Sequence, residues 1–209
     1  MTHVIYVHGL WMPGDESLIL RRRLAQEFGL TLHSFRYSAA YSTMAATTAR
    51  LESFVRGLQT PQAHFVGHSL GGLVIHRFLE RFPDQPPGRA VFLGTPCVAS
   101  RAAEQASRFP PVAHLMGLSV AEELLQPRER RWTHARELGI VAGTQAIGMG
   151  QLLANFDEDN DGTIAVRETR MPGMHDHIAL PVSHLGMLMS ARVARETGVF
   201  LTEGRFSHS

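Results

Sequence analysis

The stretch Phe65-Val66-Gly67-His68-Ser69-Leu70-Gly71-Gly72 decides how this 209-residue sequence is expected to fold. Its first two residues end a short apolar run typical of a buried strand, and 70–82 has the apolar spacing of a helix that stops before Pro83. The glycines around Ser69 permit a turn too sharp for larger side chains. The stretch therefore predicts a strand, a tight turn and a helix, with Ser69 at the turn.

Short apolar runs and amphipathic stretches alternate on both sides of this junction. This alternation is typical of a mostly parallel sheet with helices on both faces. The predicted strands are 4–8, 30–36, 64–67, 90–94, 140–143 and 177–181, and the predicted helices include 15–28, 42–58 and 70–82. The predicted fold class is therefore α/β, with a sheet of about six strands.

The chain length suits one domain, which we expect to span 1–209. The alternation fails over 97–136, a segment much longer than the roughly six residues that a helix-to-strand connection needs. Apolar residues at helical intervals, Met116 and Leu118 among them, predict helices there. We interpret the segment as a small helical cap over a pocket. The alternative is an elaborated crossover that packs on the sheet.

Composition and charge exclude some classes of protein. With 44% hydrophobic and 19% charged residues, the chain is not a disordered one. Its 20 basic and 19 acidic side chains leave a formal charge of +1, which gives no net attraction to a polyanion. The run Arg21-Arg22-Arg23 falls on a predicted surface helix, where a solvated charged face is the ordinary interpretation. We therefore expect no nucleic-acid partner.

The single cysteine, Cys97, excludes an intrachain disulfide and fits a reducing compartment. A strand is predicted almost at the first residue, which leaves no room for a signal peptide. No window approaches the roughly 18 consecutive apolar residues of a membrane span. The expectation is a cytoplasmic protein without a stable membrane anchor, and its oligomeric state stays open.

The setting of Ser69 has the pattern G-x-S-x-G at a strand–helix junction, which is typical of a nucleophile elbow. The amide of Leu70, at the start of the helix, is expected to point toward the same spot. The sequence His8-Gly9-Leu10 follows the first strand, and the amide of Leu10 is the candidate second donor. Together the two N–H groups would form an oxyanion hole. Ordinary turns at both places are the alternative.

A serine hydroxyl becomes a nucleophile when a base takes its proton and a carboxylate orients that base. In this type of fold the chain order is Ser, then Asp or Glu, then His. Asp161 lies in a polar loop after the fifth predicted strand, and His184 follows the sixth. His175 and His177 compete for the role of base, but the latter begins a strand at the far side of the sheet. We therefore predict a catalytic triad of Ser69, Asp161 and His184.

A calcium loop is the rival interpretation of the acidic segment. The motif Asp157-x-Asp159-x-Asp161-Gly162, with Glu168 at the twelfth place, satisfies the EF-hand spacing. However, Pro172-Gly173 leaves no room for the outgoing helix, and the chain has no second such loop. An acidic solvated loop is the preferred interpretation, and calcium binding stays open. No metal site is predicted.

With the motifs at His8-Gly9-Leu10, 67–72, 161–163 and Ser183-His184 in register, the sequence resembles the α/β-hydrolase superfamily. It is most similar to small bacterial esterases and lipases, including relatives of the GPI inositol-deacylase type. The resemblance implies a parallel-sheet core and acyl-ester chemistry without metal or organic cofactor. The chain starts at the strand that other members reach third, so an edge of the sheet would be uncovered or paired with another subunit.

These motifs predict a serine hydrolase that cleaves small-molecule carboxylic esters through an acyl-enzyme intermediate. An acyltransferase, a thioesterase or an amidase could use the same triad, and a non-catalytic binding protein could keep the same fold. Acyl-chain length, alcohol group and physiological substrate stay open. The candidate substrate-binding residues are Trp11, His68, Met116 and Leu118.

Overall fold

The structure, a computed structural model, describes residues 2–39, 41–98, 123, 130–147 and 158–208. Its strands are β1 His3–Val7, β2 Thr31–Phe35, β3 Ala63–His68, β4 Ala90–Leu93, β5 Leu138–Gly143 and β6 Asp176–Leu180. Its α-helices within this part of the chain are α1 Leu18–Phe28, α2 Met44–Gly57, α3 Leu70–Arg81 and α4 Ala191–Glu203. Short 3-10 helices occupy Asp15–Ser17, Val166–Thr169 and Gly186–Leu188.

The six strands form one sheet in the order β2-β1-β3-β4-β5-β6, and every neighbouring pair is parallel. The predicted α/β class and the six-stranded parallel sheet are confirmed. Because all strands run the same way, their carboxyl ends meet along one edge of the sheet, which we call the carboxyl edge. β3 lies in the middle of the order, so the residue that follows it stands near the centre of that edge.

Helices cover both faces of the sheet because strand side chains alternate between the faces. Val4 and Tyr6 of β1 belong to one buried apolar cluster, which also contains residues of α1 and α4. Ile5 and Val7 belong to the other cluster, which contains residues of α2 and α3. Full burial of one such side chain contributes roughly 1.5–3 kcal/mol. The two clusters therefore hold the strands rigidly beneath the loops of the carboxyl edge.

Capping residues in the sequence mark where the helices begin and end. Thr43 caps α2 by accepting a hydrogen bond from the N–H of Ala46 at 3.2 Å, and Ser190 caps α4 by accepting one from Val193 at 3.3 Å. α1 ends at Gly29, which has a left-handed φ of 64°. Such caps satisfy backbone groups that a helix leaves without partners.

The first turn of α3 lies directly against the end of β1. A Cβ atom on Gly71 would stand 2.1 Å from the carbonyl oxygen of Val7, closer than any side chain allows. This close approach brings the amino end of α3, which carries the positive end of the helix dipole, beside the loop that follows β1. The absence of a side chain at Gly71 therefore allows the turn that carries Ser69 to lie against the loop after β1.

Most of the predicted cap at 97–136 lies outside the described residues, as do Met116 and Leu118. Two of its described residues, Glu123 and Arg130, are buried and paired with each other. Arg77 of α3 donates to Glu123 at 2.7 Å, and Arg130 donates to the carbonyl of Cys97 at 3.3 Å. These two points of the segment are tied to α3 and to the end of β4, while its role as a cap stays a prediction.

No helix in the described part of the chain is both long enough and apolar enough to cross a membrane.

Replacing Gly71 with alanine tests the close approach of α3 to β1. We expect Gly71→Ala to lower the free energy of unfolding by about 1–3 kcal/mol or more, because the backbone must move to admit the methyl group. Gly57→Ala is the matched control, since a Cβ at Gly57 at the end of α2 meets no atom within 4 Å. The control should raise the same free energy by about 0.5–1 kcal/mol in urea unfolding. Equal stability of the two variants would show that the approach is looser than described.

Candidate active site

Ser69 occupies the sharp turn between β3 and α3. Its backbone has φ 54° and ψ −125°, a combination that side-chain-bearing residues rarely adopt and that costs on the order of 1–3 kcal/mol. Two hydrogen bonds hold this conformation: the Ser69 N–H donates to Leu93 O at 2.9 Å, and Thr95 Oγ1 donates to Ser69 O at 2.9 Å. All of β3 is buried, whereas Ser69 is partly exposed. The turn therefore brings this serine to the surface at the carboxyl edge.

Asp161 is completely buried, and both of its carboxylate oxygens are engaged. Oδ1 accepts from the N–H groups of Thr163 at 2.9 Å and Ile164 at 2.7 Å, and Oδ2 lies 2.7 Å from Nδ1 of His184. Because Asp161 acts as an acceptor in all three bonds, Nδ1 carries the imidazole proton. Nε2 of His184 is then the ring nitrogen with a free electron pair, as a general base requires.

The Asp161–His184 pair lies over the end of β4, the strand that pairs with β3. A Cβ atom on Gly94 would stand 3.0 Å from Asp161 Oδ2 and 3.0 Å from His184 Nδ1. Gly94 follows Leu93, whose carbonyl accepts the hydrogen bond from Ser69. The structure therefore places the three predicted triad residues in loops of the carboxyl edge, although Asp161 and His184 lie far from Ser69 in the sequence.

The loop after β1 lies against Ser69 on its other side. A Cβ on Gly9 would stand 3.0 Å from the Cβ of Ser69, so the backbone that leads to Leu10 runs directly past the serine. His8 braces this loop: its Nε2 accepts from the N–H of Tyr37 at 3.2 Å, and its Nδ1 therefore donates to Gly9 O at 2.8 Å. The amides of Leu10 and Leu70, the predicted oxyanion donors, belong to the two segments that flank Ser69.

Two candidate substrate-binding residues differ in exposure. Trp11 is 58% exposed and lies in the loop after β1, so it is accessible to a ligand. His68 has no exposed surface and donates from Nε2 to the carbonyl of His184 at 2.9 Å. Burial, reinforced by the neighbouring imidazole of His184, lowers the pKa of His68 to about 3. The prediction that His68 contacts substrate therefore conflicts with its position inside the protein.

Exposed apolar side chains concentrate on the carboxyl edge. Among the described residues, the large hydrophobic side chains that remain exposed all lie in loops after strands or in the first turn of the helix that follows. They are Trp11, Leu18, Ile19, Tyr41, Val98, Ile147, Leu185 and Met189. The edge that carries Ser69 is thus also the part of the described surface with these apolar groups.

The acidic loop does not have the geometry of an EF-hand. The oxygens of Asp161 accept backbone N–H groups and the imidazole, and Glu168 Oε2 accepts from the N–H of Ala165 at 3.1 Å. The chain then forms only the short 3-10 helix Val166–Thr169 and turns extended at Arg170. Asp157 lies outside the described residues, and those described contain no cluster of three or more His, Cys, Asp or Glu side chains suited to a metal ion.

The competing histidines lie away from this edge. His177 is the second residue of β6, at the opposite end of the strand, and its Nε2 lies 2.9 Å from Thr169 Oγ1. His175 precedes β6 and lies 3.9 Å from Glu137, which precedes β5. Both histidines therefore lie at the amino ends of the strands, far from the turn at Ser69.

The overall fold is shared with solved structures, whereas the sequence matches no family model and no curated protein. The lipase BlEst2 of Bacillus licheniformis in its mature form has a TM-score of 0.72 at 16% identity, over 96% of this chain and 91% of that one. A protein from Chitinophaga pinensis described as having the α/β-hydrolase fold has a TM-score of 0.69 at 13% identity, over 97% and 90% of the two chains. This chain has the α/β-hydrolase fold.

Another structure similar to this hydrolase fold is the carboxylesterase CesB from Bacillus subtilis, with a TM-score of 0.60 at 16% identity over 97% and 84% of the two chains. At such identities the similarity shows the fold, while the chemistry rests on the residues of the site. These structures agree with the fold that the sequence resemblance implied.

Sequence reasoning missed two supports of the site in this hydrolase fold. Gly94, with φ 55°, leaves the space that the Asp161–His184 pair occupies. Tyr37 stacks on His8 at 4.4 Å between ring centroids and donates from its hydroxyl to His8 O at 3.0 Å. The position of Gly94 at the end of a predicted strand was the available signal. The sequence around Tyr37 gave no such signal, because the contact of Tyr37 with His8 depends on the pairing of β1 with β2.

Two buried histidines of β3 make stability depend on pH. Burial lowers the pKa of His64 to about 4 and that of His68 to about 3, from an ordinary value of 6.5. Below pH 6.5 the unfolded chain therefore binds protons that the folded chain does not, and the free energy of unfolding falls as pH decreases toward 4. Each group contributes up to about 1.4 kcal/mol per pH unit in that window.

His64→Asn tests this dependence, because an Asn side chain can still accept the N–H of Arg89, which His64 Nδ1 accepts at 2.8 Å. Urea unfolding at pH 7, 6 and 5 should show that the free energy of unfolding declines less steeply with falling pH in the variant. The two slopes should differ by the contribution of one protonating group, up to about 1.4 kcal/mol per pH unit. Parallel curves for the variant and the wild type would mean that His64 titrates normally in the folded chain.

Proposed function

We propose that this chain is a serine hydrolase that cleaves carboxylic esters through an acyl-enzyme intermediate. The observation that supports it most is the buried 2.7 Å contact between Asp161 and His184 at the edge of the sheet that also carries the strained, partly exposed Ser69. A base oriented by a carboxylate and a serine raised on a tight turn are the two requirements of serine acyl transfer. The structural neighbours named as lipase and carboxylesterase agree with this chemistry.

In the first step Nε2 of His184 takes the proton of the Ser69 hydroxyl as Oγ attacks the ester carbonyl carbon. Asp161 holds the ring through Nδ1 and stabilises the imidazolium that forms. The carbonyl electron pair moves to oxygen and then returns, which breaks the bond to the alcohol. His184 gives its proton to that leaving alcohol, and Ser69 is left acylated.

In the second step His184 takes a proton from water, whose oxygen attacks the acyl carbon. Breakdown of this second tetrahedral intermediate breaks the bond to Ser69 Oγ, which regains its proton from His184. The carboxylic acid leaves. In both steps the N–H groups of Leu10 and Leu70 are proposed to stabilise the oxyanion, and loss of one such donor commonly costs about 10²–10³-fold in rate.

The substrate is proposed to be an uncharged ester with an apolar acyl or alcohol part. The exposed apolar side chains of the carboxyl edge support this choice, since they offer contact area to hydrocarbon groups rather than to charged ones. Trp11 is the described candidate for such a contact. Met116 and Leu118 remain predicted contributors from the segment outside the described residues. The proposed reaction requires no metal or organic cofactor.

Hydrolysis of p-nitrophenyl acetate, butyrate and octanoate tests the proposal. The wild type should hydrolyse all three, with a higher kcat/KM for the longer acyl chains. Ser69→Ala should lower kcat by about 10⁴-fold or more, because the nucleophile is lost. Asp161→Asn should lower it by about 10⁴-fold, because the amide no longer fixes the imidazole tautomer.

The matched control for the loss of a hydroxyl is Ser53→Ala, since Ser53 lies on α2 and its hydroxyl donates to Ala49 O. This variant should keep the wild-type rate. Equal activity of wild type and Ser69→Ala would contradict the assignment of the nucleophile, and full activity of Asp161→Asn would contradict that of the acid.

A further inference from the structure

His68 is the last residue of β3 and immediately precedes Ser69, yet its side chain faces the loop that follows β6. The ring is fully buried, and its centroid lies 4.7 Å from that of His184 at an interplanar angle of 46°. Its Nε2 lies 2.9 Å from the carbonyl oxygen of His184. The side chain thus connects the strand of the proposed nucleophile with the loop of the proposed base.

The protonation state of His68 follows from its surroundings. Burial lowers its pKa to about 3, so the ring is neutral at any ordinary working pH. A carbonyl oxygen can only accept a hydrogen bond. Nε2 of His68 therefore carries the ring proton and donates a hydrogen bond to the carbonyl oxygen of His184. Nδ1 then carries no proton and has no hydrogen-bond partner among the described residues, and it faces Gly9, where a Cβ would stand 3.4 Å away. His68 therefore contacts the loop after β6 and lies beside the loop after β1.

Three hydrogen bonds to other described residues hold His184. Its N–H donates to the carbonyl of Asp161 at 2.8 Å, and its Nδ1 donates to the carboxylate of Asp161 at 2.7 Å. Both of these bonds join His184 to Asp161, so they would not stop the two residues from shifting together relative to Ser69. The third bond, at its own carbonyl, runs to His68. Among the described residues, it is the hydrogen bond that joins His184 to the strand bearing Ser69.

We propose that His68 is a positioning residue, which sets the His184 ring relative to Ser69 by holding the His184 carbonyl. The inference rests on the proposed function. Proton transfer from Ser69 depends on the distance and angle between Oγ and Nε2, and a misplacement of about 1 Å can cost about 10²-fold in rate. Since His68 ends β3 and Ser69 follows it directly, the hydrogen bond from His68 to the His184 carbonyl fixes the base relative to the backbone that carries the nucleophile.

Two substitutions of similar length separate this role from simple filling of space. His68→Gln keeps an N–H donor that can reach the carbonyl of His184, whereas His68→Met fills similar volume without a donor. We expect the Met variant to lose about 10- to 100-fold in kcat on p-nitrophenyl butyrate with KM changed less than twofold. The Gln variant should stay within about threefold of the wild-type kcat.

The matched control pair is His64→Gln and His64→Met, because His64 lies four residues earlier on the same strand and is also buried. Both control variants should unfold at lower urea concentrations and keep the wild-type kcat. Equal losses of kcat in the two His68 variants, or a wild-type kcat in His68→Met, would overturn the positioning role.

A measurement that needs no turnover separates this inference from the proposed function. The imidazole Nδ1–H proton of His184, observed by NMR in the ¹⁵N-histidine-labelled protein, should keep its resonance in His68→Gln and shift or broaden in His68→Met. An unchanged resonance in both variants would overturn the inference even if esters are hydrolysed. A wild type that hydrolyses no ester would overturn the proposed function, while the NMR comparison would still decide whether His68 holds His184.

Discussion

The hydrogen bond between Asp161 Oδ2 and His184 Nδ1 is the interaction on which the site depends. A carboxylate with no solvent exposure is costly unless its oxygens are matched by donors. Two backbone N–H groups and the imidazole supply those donors. The backbone turn after Asp161 is therefore held by hydrogen bonds to the carboxylate of Asp161 itself. The same bonds fix which ring nitrogen of His184 carries the proton.

Backbone segments from distant parts of the chain approach one another closely at the carboxyl edge, around this bond and around Ser69. Gly71 admits the end of β1 against α3, and Gly94 leaves room for the acid and the base over β4. Parallel strands make the arrangement possible, since every strand delivers its following loop to one edge. The rigid apolar clusters on both faces then allow the strained turn at Ser69 to persist.

The fold and the candidate triad followed from local pattern. The six strands and the helices after them have strong apolar periodicity, and Ser69 and His184 lie directly beside predicted strand ends. What could not be predicted depends on contacts across the sheet. His68 looks like a residue at the site's surface when only its neighbour Ser69 is considered, but the pleat turns it inward to meet His184. Tyr37 reaches His8 only after β1 and β2 pair.

Covalent labelling measures directly whether the imidazole brought from the end of β6 activates this serine. An alkyl fluorophosphonate should add one phosphonyl group to the native protein, and peptide mass spectrometry should locate it on Ser69. His184→Ala should slow that reaction by several orders of magnitude, and urea-unfolded protein should not react. Labelling of another residue, or an equal rate in His184→Ala, would contradict the account.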